Sequence, residues 1–438
     1  MALVVQKYGG SSVSDVDAMR RVARRIVATR EAGNTVVVVV SAMGDTTDEL
    51  LDQAAALTTD APAREMDILL SAGERISVAL LAMAVSELGV PARAYTGAQA
   101  GVLTDSKYGK ASIVGVLPER VARSIQTGSV AIVAGFQGIN EVEDTTTLGR
   151  GGSDTTAVAL AAALNADVCE IYTDVDGLFS ADPRIVPKAH RLRSISTEET
   201  LELAAHGAKI LHLRAVEFAR RYKVPLHVRS SFSEKEGTWI SDRPASPALK
   251  GLVPDAAFLD PKEGKMEQPI ISGIAHDRGQ DKITVAGVPN HPGRAAMVFQ
   301  TIAAAGANID MIVQNIPVAD PTRANITFTI PEADAQVALD ALESAKDEIG
   351  FKEVRYNPNI GKLSLVGTGM RTNPGVAARL FAALSEAGIN IDLISSSEIR
   401  LSIVTKLDDL DRAVAVVHSA FGLDAEVSEA VVYAGTGR

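Results

Sequence analysis

An unbroken β-branched segment, Thr35–Val40, does most to limit the folds that this chain can adopt. A strand that is apolar on both faces is stable only in a sheet that helices cover on both sides. Because predicted helices and strands alternate around it, the sequence predicts an α/β domain with a largely parallel sheet over residues 1–245. The other strands are predicted near residues 3–5, 92–95, 131–135, 168–173 and 226–228, and the helices near 16–27, 66–88, 155–164 and 200–222.

The C-terminal region contains an internal repeat with a constant offset of 82 residues, as between Pro292 and Pro374. Both copies contain a Pro-Gly pair and, further on, the pattern Gly-x-Asn-Ile-Asp-x-Ile. A fixed offset over many positions predicts two copies of one unit, each with a strand, a Pro-Gly turn, an amphipathic helix, a glycine stop and a second strand. Residues 246–265 show no period and are predicted to be a linker.

Composition excludes several classes of protein. The formal net charge of -11 gives no bulk attraction for nucleic acid, so anionic substrates would need local Lys and Arg. The single cysteine, Cys169, excludes an intrachain disulfide framework. We expect a cytoplasmic protein, because the chain shows no basic-then-apolar signal segment and no uninterrupted apolar stretch of the ~18 residues that a membrane helix needs.

The segment 7–12, Lys-Tyr-Gly-Gly-Ser-Ser, lies between the first predicted strand and the first predicted helix. Glycine lets the backbone approach a ligand, the first turn of a helix offers unpaired N–H groups, and Lys7 adds a point charge. These features together predict an anion site, with an ordinary βα turn as the alternative reading.

A second pattern, Gly-Arg-Gly-Gly-Ser-Asp at residues 149–154, precedes an alanine-rich helix. Ser153 or Asp154 would serve as a helix cap, but a cap requires neither the arginine nor the glycines. Arg150 offers a planar fork that fits a carboxylate, and the glycines let N–H groups reach an anion.

Three further segments contain candidate polar groups. Glu74, within Ser-Ala-Gly-Glu-Arg-Ile-Ser at 71–77, is either a first-turn acid or a group that receives an ammonium. Acidic residues at 174, 176 and 182 follow a strand, where α/β sheets bind ligands, but their spacing does not fit a calcium loop. Lys209 lies in a predicted helix, and His206 and His212 are wrongly spaced for zinc ligands on one helix face.

Several common catalytic patterns are missing from the sequence. There is no P-loop motif, no protein-kinase catalytic loop and no convincing pair of nucleophile and base. Any phosphoryl transfer would therefore use a different arrangement.

The order and spacing of these motifs resemble the motif series of bacterial aspartate kinases, from Val4 to Arg438. The repeat resembles the paired ACT regulatory domains of the actinobacterial type, which lysine and threonine inhibit in concert. The resemblance implies an amino-acid-kinase fold followed by two ACT-type, ferredoxin-like α+β domains. The implied boundaries are a catalytic domain at 1–245, a linker at 246–265, a first ACT domain at 266–348 plus 425–438, and a second at 349–424.

The resemblance also implies a reaction, in which ATP phosphorylates the side-chain carboxylate of L-aspartate to give 4-phospho-L-aspartate. That carboxylate is already ionised at pH 7, so no general base is needed. Catalysis would then consist of positioning and charge neutralisation between two anions. Mg2+ would bridge phosphate oxygens and have few protein ligands.

The resemblance assigns roles to individual residues, with Asp154 orienting the lysines that hold phosphate. The implied catalytic residues are Lys7, Arg150, Asp154 and Lys209. The implied ATP-binding residues are Lys7, Tyr8, Gly9, Gly10, Ser11, Thr173, Asp174, Asp182, Arg184 and Lys209. The implied aspartate-binding residues are Ser41, Thr47, Glu74, Arg150, Gly151, Gly152 and Ser153. The implied effector-binding residues are Asn290, His291, Pro292, Gly293, Arg294, Ala295, Asn308, Ile309, Asp310, Gln314, Val376, Ala377, Asn390, Ile391, Ser397 and Glu398.

Two other readings stay open, and the assembly is a further expectation. The chain could be another kinase of the same fold, acting on glutamate or uridylate, but Arg150, Glu74 and the repeat argue against this. It could be an amino-acid sensor without activity, but the intact candidate site argues against that. The family implies a homo-oligomer, or a tetramer with a short ACT-only form that starts near Met266, and His291, Arg294 and Pro317 depart from the family pattern of effector loops.

Overall fold

A computed structural model describes residues 1–208, 210–242, 270–368, 370, 373, 375–426, 431 and 433. These residues divide into two compact units. The N-terminal unit contains 1–183, 187–242 and the described residues from 425 onward, and the C-terminal unit contains 184–186 and 270–424. Lys209, Pro374, Met266 and the predicted linker lie outside the described residues.

The described part of the N-terminal unit has one sheet of eight strands and one of four. Its strands are β1 (Leu3–Tyr8), β2 (Thr35–Val40), β3 (Ala92–Tyr95), β4 (Val102–Thr104), β5 (Ile113–Val116), β6 (Val130–Ala134), β7 (Gln137–Ile139), β8 (Thr145–Thr147), β9 (Val168–Thr173), β10 (Ser194–Ile195), β11 (Leu226–Ser230) and β12 (Thr238–Ile240). The large sheet has the order β10-β12-β11-β9-β1-β2-β6-β3, and all its neighbours are parallel except β11 and β12.

Helices cover both faces of this sheet. They are α1 (Val16–Glu31), α2 (Thr46–Leu57), α3 (Ala63–Glu87), α4 (Glu119–Gln126), α5 (Gly152–Ala163), α6 (Thr197–Ala205) and α7 (Leu213–Tyr222). On one face, Val36, Val38 and Val40 share a hydrophobic core with α1 and α3, while α5 packs against the opposite face. The two-sided burial predicted for β2 is therefore confirmed.

Three local predictions about helices are wrong. The helix predicted at 200–222 is two helices, because Gly207 takes a positive φ of 112° and the chain leaves the helical path before α7. The sequence predicts Ser12 or Ser14 as the N-cap of α1, but the helix is capped by Asp15, whose carboxylate accepts from the N–H of Ala18. The N-cap of α5 is Gly151, with a left-handed backbone that a side-chain cap could not easily adopt.

Helix α3 departs from the expectation that no segment is apolar enough for a membrane. By length and composition alone it could cross one, and it is the one such helix within the described ranges. However, Val78, Leu81 and Val85 pack into the core beside the large sheet, as a core helix does.

The described part of the C-terminal unit has two four-stranded antiparallel sheets. Its strands are β13 (Ile270–Asp277), β14 (Gln280–Pro289), β15 (Ile312–Asn315), β16 (Arg323–Pro331), β17 (Glu353–Asn357), β18 (Ile360–Thr368), β19 (Leu393–Ser396) and β20 (Arg400–Lys406). Its helices are α8 (Arg294–Ala304), α9 (Glu332–Ser344), α10 (Lys346–Ile349), α11 (Gly375–Glu386) and α12 (Leu410–Ala420). The sheet orders are β15-β16-β14-β17 and β13-β18-β20-β19, which confirms two copies of one α+β unit.

The sheets correct the expected boundary between these two copies. The first copy is closed by β17, which pairs with β14, rather than by a strand near Val431. The second copy is closed by β13, which precedes the first copy in the chain and pairs with β18. The described tail residues Val431 and Tyr433 lie in no strand and group with the N-terminal unit.

Two ion pairs cross between the copies in a symmetric way. Lys282 and Lys362 are the third residues of β14 and β18, and Asp310 and Asp392 are equivalent in the repeat. The Nζ atom of Lys362 lies 2.5 Å from Oδ2 of Asp310, and that of Lys282 lies 2.6 Å from Oδ2 of Asp392. Each copy thus donates one lysine to the Asn-Ile-Asp segment of the other.

Candidate active site

The centre of the candidate site is an ion pair between the end of β1 and the start of α5. The Nζ atom of Lys7 lies 2.7 Å from Oδ1 of Asp154, and the two side chains are only 13% and 12% exposed. Successive residues of a strand point to opposite faces, so Lys7 faces α5 whereas Tyr8 faces α1. The pair holds a cation at the carboxyl edge of the parallel sheet, where α/β folds bind ligands.

The glycine turn after β1 is packed too closely for any side chain. A Cβ atom on Gly10 would lie 2.9 Å from the carbonyl oxygen of Gly44 and 3.0 Å from that of Ala42. A Cβ atom on Gly9 would lie 3.3 Å from Nζ of Lys7. Glycine at residue 9 therefore places no side-chain atom against Nζ of Lys7.

Glu74 is a buried carboxylate with unused hydrogen-bonding capacity. Its Oε1 atom accepts from the N–H of Ala42 at 3.1 Å, whereas its Oε2 atom is buried and has no hydrogen-bond partner among the described residues. Burial raises the pKa of Glu74 to about 7. Since Glu74 lies in the middle of α3, the first-turn reading is wrong, and a cationic donor would satisfy the free oxygen.

Arg150 projects from a loop that is built on glycines. Gly149 and Gly151 have positive φ angles of 74° and 70°, and Arg150 between them is exposed. Within the part of the chain that the structure describes, its guanidinium makes no hydrogen bond or ion pair. The arginine is thus available to a carboxylate at the start of α5.

The smaller predicted aspartate-site residues surround these groups. Ser41 directly follows β2 and donates its N–H to the carbonyl of Tyr8 at 3.1 Å. Thr47 lies in the first turn of α2 and Ser153 in the first turn of α5, where Ser153 is buried against Gly135. All three are brought to the same edge of the sheet as Lys7.

Tyr8 cannot use its side chain in nucleotide binding. Its ring is fully buried and stacks on Tyr172 with centroids 4.7 Å apart, and its hydroxyl donates to Oε1 of Gln6. Among the predicted ATP-binding residues, Tyr8 therefore has only its backbone to offer a nucleotide.

The segment after β9 continues the same edge. Thr173 donates from Oγ1 to Oδ1 of Asp174 at 3.0 Å, and the backbone N–H of Tyr433 donates to the carbonyl of Asp174 at 3.0 Å. Sequence reasoning placed Tyr433 in an ACT strand and so missed this contact. Asp182 lies in the N-terminal unit, whereas Arg184 groups with the C-terminal unit and is not assigned to this edge.

Two side chains at the start of α7 also escaped sequence reasoning. Arg214 donates to the carbonyl of Leu148, just before the glycine loop, and the ring of His212 lies against Gly151. No local signal identified them, because the predicted continuous helix gave these positions a different orientation.

Comparison with known proteins decides the family. A profile of the amino acid kinase family matches residues 2–230, and an ACT domain profile matches 283–345 and 363–421. The chain is 57% identical over 439 residues to an aspartokinase of Mycolicibacterium smegmatis, covering 100% of both chains. The chain belongs to the aspartokinase family. It is accordingly an ATP-dependent kinase.

Solved structures of aspartokinases share the fold. Aspartokinase III of E. coli in complex with aspartate and ADP (R-state) is 24% identical with a TM-score of 0.78, covering 96% of this chain and 100% of that chain. The same enzyme in complex with lysine and aspartate (T-state) is 25% identical with a TM-score of 0.66, covering 95% and 99%.

The predicted effector residues occupy loops and helix starts beside the two ACT sheets, except Gln314, which lies in β15. Gly293 has a positive φ of 94° in the Pro-Gly turn, and Asn290 donates its N–H to the carbonyl of Thr322 at 2.7 Å. The guanidinium of Arg294 is engaged by the carbonyls of Glu348 and Ile349, which leaves it less free than predicted. The side chain of Val376 is buried, whereas those of Asn308, Gln314, Asn390, Ser397 and Glu398 are exposed.

Proposed function

We propose that this chain transfers the γ-phosphoryl group of ATP to the side-chain carboxylate of L-aspartate, giving 4-phospho-L-aspartate and ADP. The observation that carries the proposal is the Lys7–Asp154 pair beside the close-packed glycine turn. It provides a fixed cation and open backbone at the edge of the sheet, where two anions have to meet.

On the nucleotide side, Lys7 neutralises phosphate charge and Asp154 holds its ammonium in place. The backbone of Gly9, Gly10 and Ser11 lines the phosphates. Lys209 would add a second cation, as the family resemblance implies.

On the aspartate side, Arg150 binds a substrate carboxylate and Glu74 accepts the substrate ammonium. The free Oε2 atom of Glu74 and the unengaged guanidinium of Arg150 support this assignment. Ser41, Thr47 and Ser153 complete the pocket.

Magnesium fits this site only as a partner of ATP. In the described ranges no three His, Cys, Asp or Glu side chains cluster in a way that could hold a metal ion. The donor set therefore suits an ion held chiefly by phosphate oxygens, which would neutralise their charge. Lys7 and Asp154 would act beside it.

The ACT copies would regulate the reaction. We place the enzyme at the first step of lysine, threonine and methionine biosynthesis in the cytoplasm, inhibited by lysine and threonine. The lysine complex of the E. coli relative supports an amino-acid effector. A short ACT-only form starting at Met266 would give a mixed tetramer, and two protein bands that persist after the Met266 codon is changed would exclude it.

The test is steady-state kinetics with ATP and a panel of aspartate, glutamate and uridylate, with lysine and threonine added alone and together. Arg150→Ala should raise the KM for aspartate by about 10- to 100-fold, the effect of one charge-assisted contact. Arg20→Ala is the matched control, because Arg20 is 64% exposed and pairs with Asp17 on the surface of α1. Absence of aspartate-dependent ATP turnover in the wild type would contradict the proposal, and an unchanged aspartate KM in Arg150→Ala would contradict its assignment.

A further inference from the structure

The glycine loop that carries Arg150 is held from outside by the first turn of α7. Arg214 donates from Nη1 to the carbonyl of Leu148 at 2.7 Å and from Nη2 to the carbonyl of Ala111 at 3.0 Å. One planar guanidinium thus ties the start of the glycine loop to a neighbouring loop. A lysine at this position would have to reach both carbonyls from one nitrogen, because it lacks the planar fork whose two nitrogens each meet one carbonyl.

His212 fills the space that Gly151 leaves. A Cβ atom on Gly151 would lie 2.0 Å from Cγ and 2.3 Å from Cβ of His212, so the ring packs directly on the glycine backbone. The ring is half-buried, and its Nδ1 atom has no hydrogen-bond partner among the described residues. Burial lowers the pKa of His212, with Asp154 opposing, so the ring is uncharged near pH 7 and acts through its shape.

We propose that His212 and Arg214 are positioning residues for the aspartokinase reaction, and that they fix the loop that presents Arg150 and Asp154 to the substrates. Arg214 holds the start of the loop at Leu148, and His212 holds the turn of the loop at Gly151. Neither residue touches substrate in this account. The proposal rests on the proposed function for the roles of Arg150 and Asp154.

Loss of either positioning residue should change the aspartate KM and kcat more than the ATP KM. If the loop loosens, Arg150 no longer meets the substrate carboxylate and the Lys7–Asp154 pair is less well placed, while Lys7 itself stays on β1. His212→Ala and Arg214→Lys should each raise the aspartate KM about tenfold and lower kcat a few-fold, with the ATP KM changed by less than about twofold. Arg220→Lys is the matched control on the same helix, since Arg220 is a half-exposed residue that pairs with Glu198.

A double variant that creates and then relieves a steric clash distinguishes this positioning role from a merely structural one. Gly151→Ala should reduce kcat/KM for aspartate by about 100-fold, because the new methyl group meets the His212 ring. Adding His212→Gly, which removes both the ring and the Cβ atom that lies 2.3 Å from the new methyl group, should recover about tenfold of that loss, although the positive φ at Gly151 still disfavours alanine. Recovery in the double variant, with no change in melting temperature that tracks it, supports the proposal.

Two results would overturn the proposal. One is that His212→Ala and Arg214→Lys raise both KM values equally or change only the melting temperature. The other is that the double variant is no better than Gly151→Ala. Since both results require a wild type that is active with aspartate, they are distinct from failure of the proposed function, in which the wild type itself shows no aspartate-dependent turnover.

Discussion

Two buried carboxylates beside the large sheet, Glu170 and Glu74, have opposite surroundings. On the face toward α1, Glu170 is enclosed by hydrogen bonds from Gln6 and Tyr172 and by an ion pair with Arg229. Burial tends to raise its pKa, but His227, Arg229 and Gln6 outweigh burial and lower the pKa to about 2. At the ligand edge, Glu74 has one backbone donor, and burial raises its pKa to about 7.

This difference teaches how to separate structural from functional carboxylates. A buried carboxylate whose acceptors are occupied stabilises the fold, because its desolvation is offset by donors that are already in place. A buried carboxylate with a free oxygen destabilises the fold until a donor arrives. We therefore interpret the network around Glu170 as structural and the free capacity at Glu74 and Arg150 as reserved for substrate.

The largest predicted effect lies at the ligand edge. Lys7→Met should lower kcat by about 1,000-fold, if the lysine meets charge that develops in the transition state. Its free energy of unfolding should fall by about 2 kcal/mol, because Asp154 is left in a mostly buried site without its counter-ion. Measuring kcat and the urea unfolding midpoint on one preparation tests this prediction. A large loss of stability with normal kcat would show that Lys7 is a structural residue rather than a functional one.

At Glu170, the effect should appear in stability rather than in kinetics. Glu170→Gln should lower the free energy of unfolding by about 3 kcal/mol at pH 7, because it leaves Arg229 buried without its counter-ion. The folded-state pKa is depressed, so this contribution is present above the unfolded pKa and lost as the pH falls toward 2. Urea unfolding at pH 7 measures the loss of unfolding free energy. The aspartate KM and kcat of the variant should equal those of wild type at low urea.

Glu74→Gln should raise the free energy of unfolding, whereas Glu170→Gln should lower it. The folded-state pKa is raised from 4.5 to about 7, so stability is lost as the pH rises from the unfolded value to the folded one, and the variant should be about 2 kcal/mol more stable than wild type at pH 8. At pH 4, below both pKa values, the two should be equally stable. The aspartate KM of the variant should rise at pH 8. Equal stability at both pH values would show that Glu74 has a partner that this account lacks.

The smallest predicted effect concerns the crossed ion pairs of the ACT copies. Lys362 is 1% exposed and Lys282 is 20% exposed, although each is the third residue of its strand. Lys362→Met should cost about 2 kcal/mol of unfolding free energy and Lys282→Met less than about 1 kcal/mol, because water screens the ion pair of the buried lysine less than that of the more exposed one. Equal losses of unfolding free energy in the two variants would contradict the prediction that burial of the lysine sets the size of the effect.

Local patterns were enough to predict much of this molecule. The β-branched run of β2 predicted a covered parallel sheet, and the constant offset predicted two copies of one regulatory unit. Lys7, the glycine turn and Arg150 could be proposed as site residues because each belongs to a short motif of adjacent residues.

Long-range pairing explains what the sequence could not show. The repeat predicts two copies of one unit. It does not predict that β13 completes the sheet of the second copy and β17 the sheet of the first. The free oxygen of Glu74 depends on what packs around α3, and His212 and Arg214 depend on a helix break at Gly207 that looked like continuous helix. These features come from tertiary contacts, which a periodicity does not contain.

The most direct test of the central claim is the number of protons released when aspartate binds. Isothermal titration calorimetry at pH 7 in buffers of different ionisation enthalpy measures this number. If Glu74 must be ionised to receive the ammonium, wild type should release about half a proton more than Glu74→Gln, as expected for a group whose pKa equals the pH. Equal proton release in the two proteins, with aspartate bound to both, would contradict the account.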